Sequence, residues 1–401
     1  MAPGDPLPLD RARECVAGAV QPLDPIAVPL AGALGCVLRQ NALVPEDMPP
    51  FDRSAMDGYA VFATREEGSS RFRVTGEVRP GVAPAVALHP GECVRIFTGA
   101  QIPQGATHVL KQEDVSVKEQ WITSFTPLTD EFIRRRGEDA RAGDRLLAPG
   151  IRLGPAQIAL LASLGVVEPL VSPACRVVHF TTGDELVDPS EKDPGPSCIR
   201  DSNSALVRAF TQAHGGIIAH QERLPDDLDL LVEHARRATS AGCDLLLISG
   251  GASVGAYDFG RPTLRALGFE DRFSRLSLRP GRPLIFATRG PQAAFVLPGN
   301  PLSHLTVLHC IVRLAFERLL AAQPDWRILH ATLRSGFSPG AGTETLWPAR
   351  VFFENGDPIA EPLRRQSSGD ITGLAGLNAY IRSTAPVLDT GARVACILVH
   401  G

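Results

Sequence analysis

Residues 243–258 read Cys-Asp-Leu-Leu-Leu-Ile-Ser-Gly-Gly-Ala-Ser-Val-Gly-Ala-Tyr-Asp, and they constrain this chain more than any other stretch. The apolar run at 245–248 is too short for a helix and lacks polar alternation. It predicts a strand buried on both faces, as in a parallel sheet. The run leads into a loop with Gly250, Gly251 and Gly255, with hydroxyls at Ser249 and Ser253. Glycine lets backbone N–H groups turn toward an anion and removes the Cβ that would hold it off. In open α/β sheets ligands sit beyond the carboxyl ends of the strands, which is where this loop falls. Asp258 follows, close enough to hold a metal ion or order the hydroxyls. A Gly-rich connector with no ligand would read the same way from this loop alone.

The surroundings decide between the two readings. From residue 176 onward strands alternate with helices: strands at 177–180, 217–220, 284–287 and 293–297, and a helix over 228–239. Asp201 or Ser202 can cap a further helix, with Leu206, Ala209, Phe210 and Ala213 on one face and Gly215-Gly216 closing it. Asn300 is the expected N-cap, and Pro301 the first position, of a helix running to about residue 320. Two more strands end on ligand-type loops, Thr181-Thr182-Gly183-Asp184-Glu185 and Pro298-Gly299-Asn300-Pro301 with Ser303 beyond. Arg279 and Arg282 flank Pro280-Gly281, a turn that would point two planar guanidinium forks at one place. Three such loops predict a ligand site on a doubly wound α/β domain at 174–324.

The flanks differ in character. A helix is expected over 9–22 and another over 153–165, so that 1–48 and 137–173 form a helical N-terminal and linker unit. Between them, 49–136 carries short β-rich runs punctuated by Gly and Pro, the pattern of an inserted β-domain. It opens on Pro49-Pro50-Phe51-Asp52-Arg53-Ser54-Ala55-Met56-Asp57-Gly58-Tyr59-Ala60, whose Asp52, Ser54 and Asp57 suit no core. Thr98 begins a turn, and Arg134-Arg135-Arg136-Gly137-Glu138-Asp139 reads equally as a solvated face or as a phosphate contact. Residues 325–401 are β-rich again and predict a small C-terminal domain resembling a β-barrel, with a polar loop holding Arg365, Ser367 and Ser368. The fold class is thus a multidomain α/β chain.

Composition narrows the function. Forty basic against 44 acidic side chains leave a net charge of −4, which argues against a nucleic-acid binder. No apolar run reaches the length of a membrane span, and the start of the chain lacks a signal-peptide pattern, so a cytoplasmic protein is expected. The eight cysteines form neither a Cys-x-x-Cys pair nor a zinc knuckle. Asp57, Asp139, Asp184, Glu185, Asp226, Asp227 and Asp258 are hard oxygen ligands suited to Mg²⁺ beside phosphates. The P-loop signature GxxxxGK[ST] is missing. The residues alone therefore describe a site for a phosphorylated ligand with further oxyanion capacity.

Seven separated motifs then resemble one family, in its order: PPFDRSAMDGYAV, RIFTGAQIP, RRRGEDARAGD, TTGDEL, SGGASVGAYD, RPGRP and LPGNP. The family is the molybdopterin molybdenumtransferases, the MoeA proteins of bacteria and the gephyrin E-domain of animals. The resemblance implies insertion of molybdate-derived molybdenum into adenylylated molybdopterin, with Mg²⁺-dependent release of AMP. It implies a homodimer whose cleft joins the partner's PPFD region to the α/β molybdopterin-binding domain, and an upstream adenylyltransferase as a possible supplier. It assigns Asp57, Asp139, Glu185 and Asp258 to catalysis, and Asp258, Glu185 and Asp227 to the metal. Thr98, Gly250, Gly251, Ser253, Gly255, Arg279, Arg282, Pro298, Gly299, Asn300, Pro301, Ser303, Arg365, Ser367 and Ser368 would contact substrate. Ser253, Ser303 and the two arginines would sit at the molybdate.

The chain departs from the family where Arg279 and Arg282 replace the usual lysines, where Ala252 replaces valine, and where His304 and Leu305 replace small residues. A paralogue tuned to tungstate, the preceding adenylyl-transfer step and a non-catalytic scaffold are the alternative readings. The inserted and C-terminal β-domains argue against adenylyl transfer, and the retained carboxylates argue against a scaffold.

Overall fold

The computed structural model describes residues 5–64, 71–85, 87–128, 131–251, 259–340, 342–364 and 367–399. Ser253, Gly255, Asp258 and Arg365 lie outside the described residues. Two compact units divide the chain, 1–40 with 149–158 and 168–401, and 41–148 with 159–167.

The larger unit is built on six strands, β1 (Cys175–Thr182), β2 (Gly216–Leu224), β3 (Leu245–Ser249), β4 (Glu270–Arg275), β5 (Pro283–Arg289) and β6 (Gln292–Leu297). Their order is β2-β1-β3-β6-β5-β4. The first four run parallel, and β5 and β4 close the sheet antiparallel. Every residue of β3 is buried, which is why its sequence shows no alternation. Leu245 and Leu247 face one layer, Leu246 and Ile248 the other.

Helices cover both faces. On one side lie α1 (Leu9–Ala19), α2 (Ser202–Ala213), α5 (Pro301–Val307) and α6 (Arg313–Leu319), contributing Leu9, Val16, Val207, Phe210 and Phe316 to the core. On the other lie α3 (Leu228–Ser240) and α4 (Gly260–Ala266), with Leu231, Ala235 and Leu264.

Three expectations shift. The helix expected over 9–22 stops at Ala19, because Val20 turns extended. The helix expected from 301 to about 320 runs continuously to Leu319 but contains a π-helical turn at Leu308–Val312, where His309 and Cys310 are buried. The buried face of α2 is Asn203, Val207, Phe210 and Thr211, whereas Ala209 and Ala213 are exposed. Asn203 tolerates burial because its Nδ2 donates to the Gly299 carbonyl at 2.7 Å. An apolar periodicity cannot register a partner 96 residues away.

The same unit carries a five-stranded barrel: β7 (Ile328–Leu333), β8 (Glu344–Glu354), β9 (Asp357–Pro362), β10 (Ala379–Ser383) and β11 (Arg393–Leu398). The order β8-β9-β7-β11-β10 closes through the β8–β10 pairing, and closure leaves no free edge. Leu278 and Arg279 add to it, pairing with Glu344 and Thr345 at the start of β8.

The smaller unit holds a six-stranded sheet in the order His108–Lys111, Gly58–Val61, Glu92–Ile96, Arg71–Val78, Trp121–Ser124, Val115–Lys118. Its boundaries differ from those expected. The segment 1–40 belongs to the larger unit, where Leu9, Ala12 and Val16 of α1 join the core and Leu7 N donates to Arg275 O. The ladder of Ala42–Leu43 with Arg145–Leu147 falls in the smaller unit instead. All eight cysteines are free thiols.

Candidate active site

The carboxyl ends of β1, β3 and β6 open into one cleft of about 950 Å³. Its lining includes Thr182, Glu185, Asp226, Gly250, Gly251, Arg279, Arg282, Gly299, Asn300, Ser303 and Ser368. The three loops that the sequence singled out thus converge on one space, together with the arginine turn and a serine from the C-terminal domain.

The arginine turn is held from both sides. Arg279 pairs with Thr345 of the barrel, and Leu276 N donates to Arg282 O at 2.8 Å. Gly281 has φ +107°, and a Cβ there would meet Val307 Cγ1 at 2.7 Å, so both conformation and space require glycine. Arg279 and Arg282 are exposed to the cleft, and among the described residues neither has a carboxylate within ion-pair distance. Two guanidinium groups left without counter-charge at one wall are an oxyanion site in waiting.

The glycine loop begins with Gly250, φ +97°, whose N–H reaches Leu297 O at 3.2 Å. A Cβ on Gly250 would lie 3.0 Å from the Thr182 carbonyl, so this close strand–loop approach also requires glycine. The loop after β6 is pinned at three points. Asn203 holds the Gly299 carbonyl, His304 Nδ1 lies 3.0 Å from Pro298 O, and Asn300 Nδ2 donates to Ser368 Oγ at 2.8 Å. Asn300 has the extended backbone of an N-cap, but its side chain spans to Ser368 instead of capping the helix. His304 is fully buried, which pushes its pKa down to about 4. It therefore serves as a neutral donor to the loop. Ser367 Oγ accepts from Gly369 N at 3.2 Å, and only Ser368 of the pair lines the cleft.

Opposite charge gathers on another wall. Glu185 and Asp226 line the cleft, and Asp226 N donates to Asp184 Oδ1 at 3.2 Å. Burial first, then Asp184 and Glu185, raise the Asp226 carboxyl above its ordinary range. Among the described residues no group of three or more His, Cys, Asp or Glu could hold a metal ion by itself. Mg²⁺ takes only one or two carboxylates plus water and phosphate oxygens, so this crowded pair fits it. Asp227, a metal ligand by expectation, sits elsewhere. It caps α3, accepting from Leu230 N at 3.0 Å, and does not line the cleft.

Three expected residues lie in the smaller unit. Asp57 Oδ1 accepts from Thr98 N at 2.8 Å and from Thr98 Oγ1 at 2.7 Å. The backbone donor, followed by the hydroxyl, lowers the Asp57 pKa and keeps it charged. These two residues are one structural pair, which 41 positions of separation concealed. Asp139 lies 3.8 Å from Arg53. The arginine run is a tied surface: Arg134 pairs with Glu138, Arg135 with Asp52 and Arg136 with Asp47.

Sequence reasoning passed over Asn203, and it passed over the buried His179, whose Nε2 lies 2.7 Å from the Ser249 hydroxyl that the loop had already singled out. One signal was present: a histidine interrupts an otherwise apolar strand at 177–180.

The comparisons agree across the chain. Residues 7–165 match the MoeA N-terminal region (domain I and II), 179–318 a probable molybdopterin binding domain, and 330–398 the MoeA C-terminal region (domain IV). A molybdopterin molybdenumtransferase of Synechococcus elongatus is 36% identical over 368 residues, covering 89% of this chain and 88% of that protein. One from Staphylococcus aureus is 28% identical over 94% of this chain and 91% of its own length. The crystal structure of the molybdopterin biosynthesis MoeA protein from Pyrococcus horikoshii OT3 superposes with a TM-score of 0.84 at 26% identity, over 98% of this chain and all of that one.

Proposed function

Since the chain belongs to the MoeA family of molybdopterin molybdenumtransferases, we propose that its cleft binds adenylylated molybdopterin beside molybdate and inserts the metal as AMP leaves. The observation that carries this reading is the pair Arg279 and Arg282, which line the cleft without a counter-charge among the described residues. Charge-assisted hydrogen bonds from two planar forks suit a small tetrahedral dianion. Ser303 lines the cleft beside them and would contribute a further donor.

The pterin's phosphate end would lie against the Gly250-Gly251 turn, where no Cβ intervenes. Glu185 and Asp226 would hold Mg²⁺, which neutralises charge on the phosphoanhydride when bound. The clamp between Asn300 and Ser368 would fix the distance between the PGNP loop and the C-terminal domain, so that the two substrates are positioned together. The sulfurs that receive molybdenum belong to the substrate, which is consistent with cysteines that are buried or lie outside the cleft lining. Ser253, Gly255, Asp258 and Arg365 are assigned to the same site by their motifs alone.

Asp57 with Thr98, and Asp139, belong to the smaller unit. We assign them to the shared site of a cytoplasmic homodimer, fed by an upstream adenylyltransferase. Arginine in place of lysine leaves tungstate as a second candidate oxyanion, because a planar bidentate fork contacts an oxyanion differently from an ammonium point charge.

Titration of molybdate by calorimetry tests the carrying observation. Each hydrogen-bonded charge contributes roughly 1.5–3 kcal/mol, so Arg279→Ala or Arg282→Ala should weaken molybdate binding about ten- to a hundredfold. Lysine at both positions should cost less. Unchanged binding in Arg282→Ala would reduce the turn to two solvated cations.

A further inference from the structure

Below the cleft, a hydrogen-bond chain dictates which way one hydroxyl points. His179 on β1 is fully buried. Gln221 Nε2 on β2 lies 2.8 Å from His179 Nδ1 and 3.0 Å from the Ser204 carbonyl oxygen. On its other side, Gln221 Oε1 accepts from Arg208 Nη2. A carbonyl only accepts and a guanidinium only donates, so the Gln221 amide has one allowed orientation. Its second N–H falls on His179 Nδ1, which must be the acceptor. The proton of the imidazole is then on Nε2, and it is donated to Ser249 Oγ at 2.7 Å. Burial drives the His179 pKa down to about 3, so no second proton is present near neutral pH.

The neighbouring hydroxyls offer Ser249 no alternative. Ser204 Oγ donates to Asp201 Oδ2 at 2.5 Å, so Thr181 must donate to Ser204 Oγ at 2.9 Å. Ser249 Oγ already accepts from His179, and its own proton has no acceptor among the described residues. Ser249 is fully buried at the floor of the cleft and closes β3 just before Gly250. That is where parallel sheets receive a ligand's phosphate.

We propose that Ser249 is a dedicated hydrogen-bond donor to a phosphate oxygen of the bound pterin, and that His179 is the positioning residue that holds it in that role. The proposal rests on the reading of the cleft as a molybdopterin site. Leucine in place of His179 would free the hydroxyl to rotate and to point its lone pairs at the anion. Glutamine would return an N–H to the place of Nε2.

Anaerobic titration of the full chain with molybdopterin tests it through a double-mutant cycle. Ser249→Ala should weaken binding about tenfold or more, the scale of a hydrogen bond to a charged group. His179→Leu should weaken it several-fold, His179→Gln should recover most of that loss, and the Leu/Ala double variant should bind no worse than Ser249→Ala alone. A merely structural His179 would give additive losses, and additivity overturns the positioning role. Wild-type affinity in Ser249→Ala overturns the proposal even if His179→Leu does not fold. A wild-type chain that binds no molybdopterin removes the reading of the cleft itself, and this proposal with it.

Discussion

At the scale of single residues, charge without compensation marks the site more clearly than any motif. Asp226 illustrates it. Its carboxyl is raised above the ordinary range by burial and by the adjacent Asp184 and Glu185, so the folded chain disfavours its ionised form. A raised carboxyl supports folding only below the ordinary carboxylate range, and that support is lost as pH rises through the folded pKa. At neutral pH the ionised Asp226 therefore opposes folding. Asp226→Asn should raise the melting temperature at about pH 7–8, with the gain fading toward about pH 4, where unfolded carboxylates protonate. Added Mg²⁺ should raise the melting temperature of the parent more than that of the variant. A melting curve with no gain at neutral pH would remove the crowding argument. The arginines show the opposite sign of the same imbalance, two cations at the cleft with no described partner.

Among the elements, local chemistry was legible where one residue type has one physical use. The strand at 245–249, the Pro301 helix start and the glycine loop follow from burial, fixed φ and a missing Cβ. Illegible features depended on distant partners. Asn300 reads as a cap but reaches Ser368 across 68 positions, and Asn203 enters the core through Gly299. The π-turn at Leu308–Val312 has no local signature, and the His179 network shows only as a histidine in an apolar strand, its partners Gln221 and Ser249 lying 42 and 70 positions away. Asp227 shows the ambiguity in one residue, since an aspartate before a helix is equally a metal ligand or a cap. As a cap, Asp227→Asn should change stability by only a few tenths of a kcal/mol, whereas Asp227→Ala should cost about 1 kcal/mol. The Mg²⁺ dependence of activity should stay the same in both. A large loss of Mg²⁺ affinity in Asp227→Asn would return the residue to the metal.

For the whole molecule, seven ordered motifs were enough to indicate the family: three fall in the matched N-terminal region and four in the molybdopterin binding domain, while the C-terminal region carries none of them. Domain boundaries were less legible. Residues 5–40 fall in one compact unit with the α/β part, where α1 finds its apolar partners, whereas 137–148 fall in the smaller unit. In the smaller unit, Asp57, Thr98 and Asp139 are built with care yet serve no core, as expected if they complete a partner's site. Light scattering at micromolar concentration should give the mass of two chains of 42.8 kDa, and a clean monomer would contradict a shared site. The most direct test of the function is turnover. The purified protein is incubated with adenylylated molybdopterin and Mg²⁺, and AMP is followed with and without molybdate. Molybdate-dependent AMP release, reduced about ten- to a hundredfold in Arg282→Ala, is the expected result. AMP release that ignores molybdate, or none at all, would contradict it.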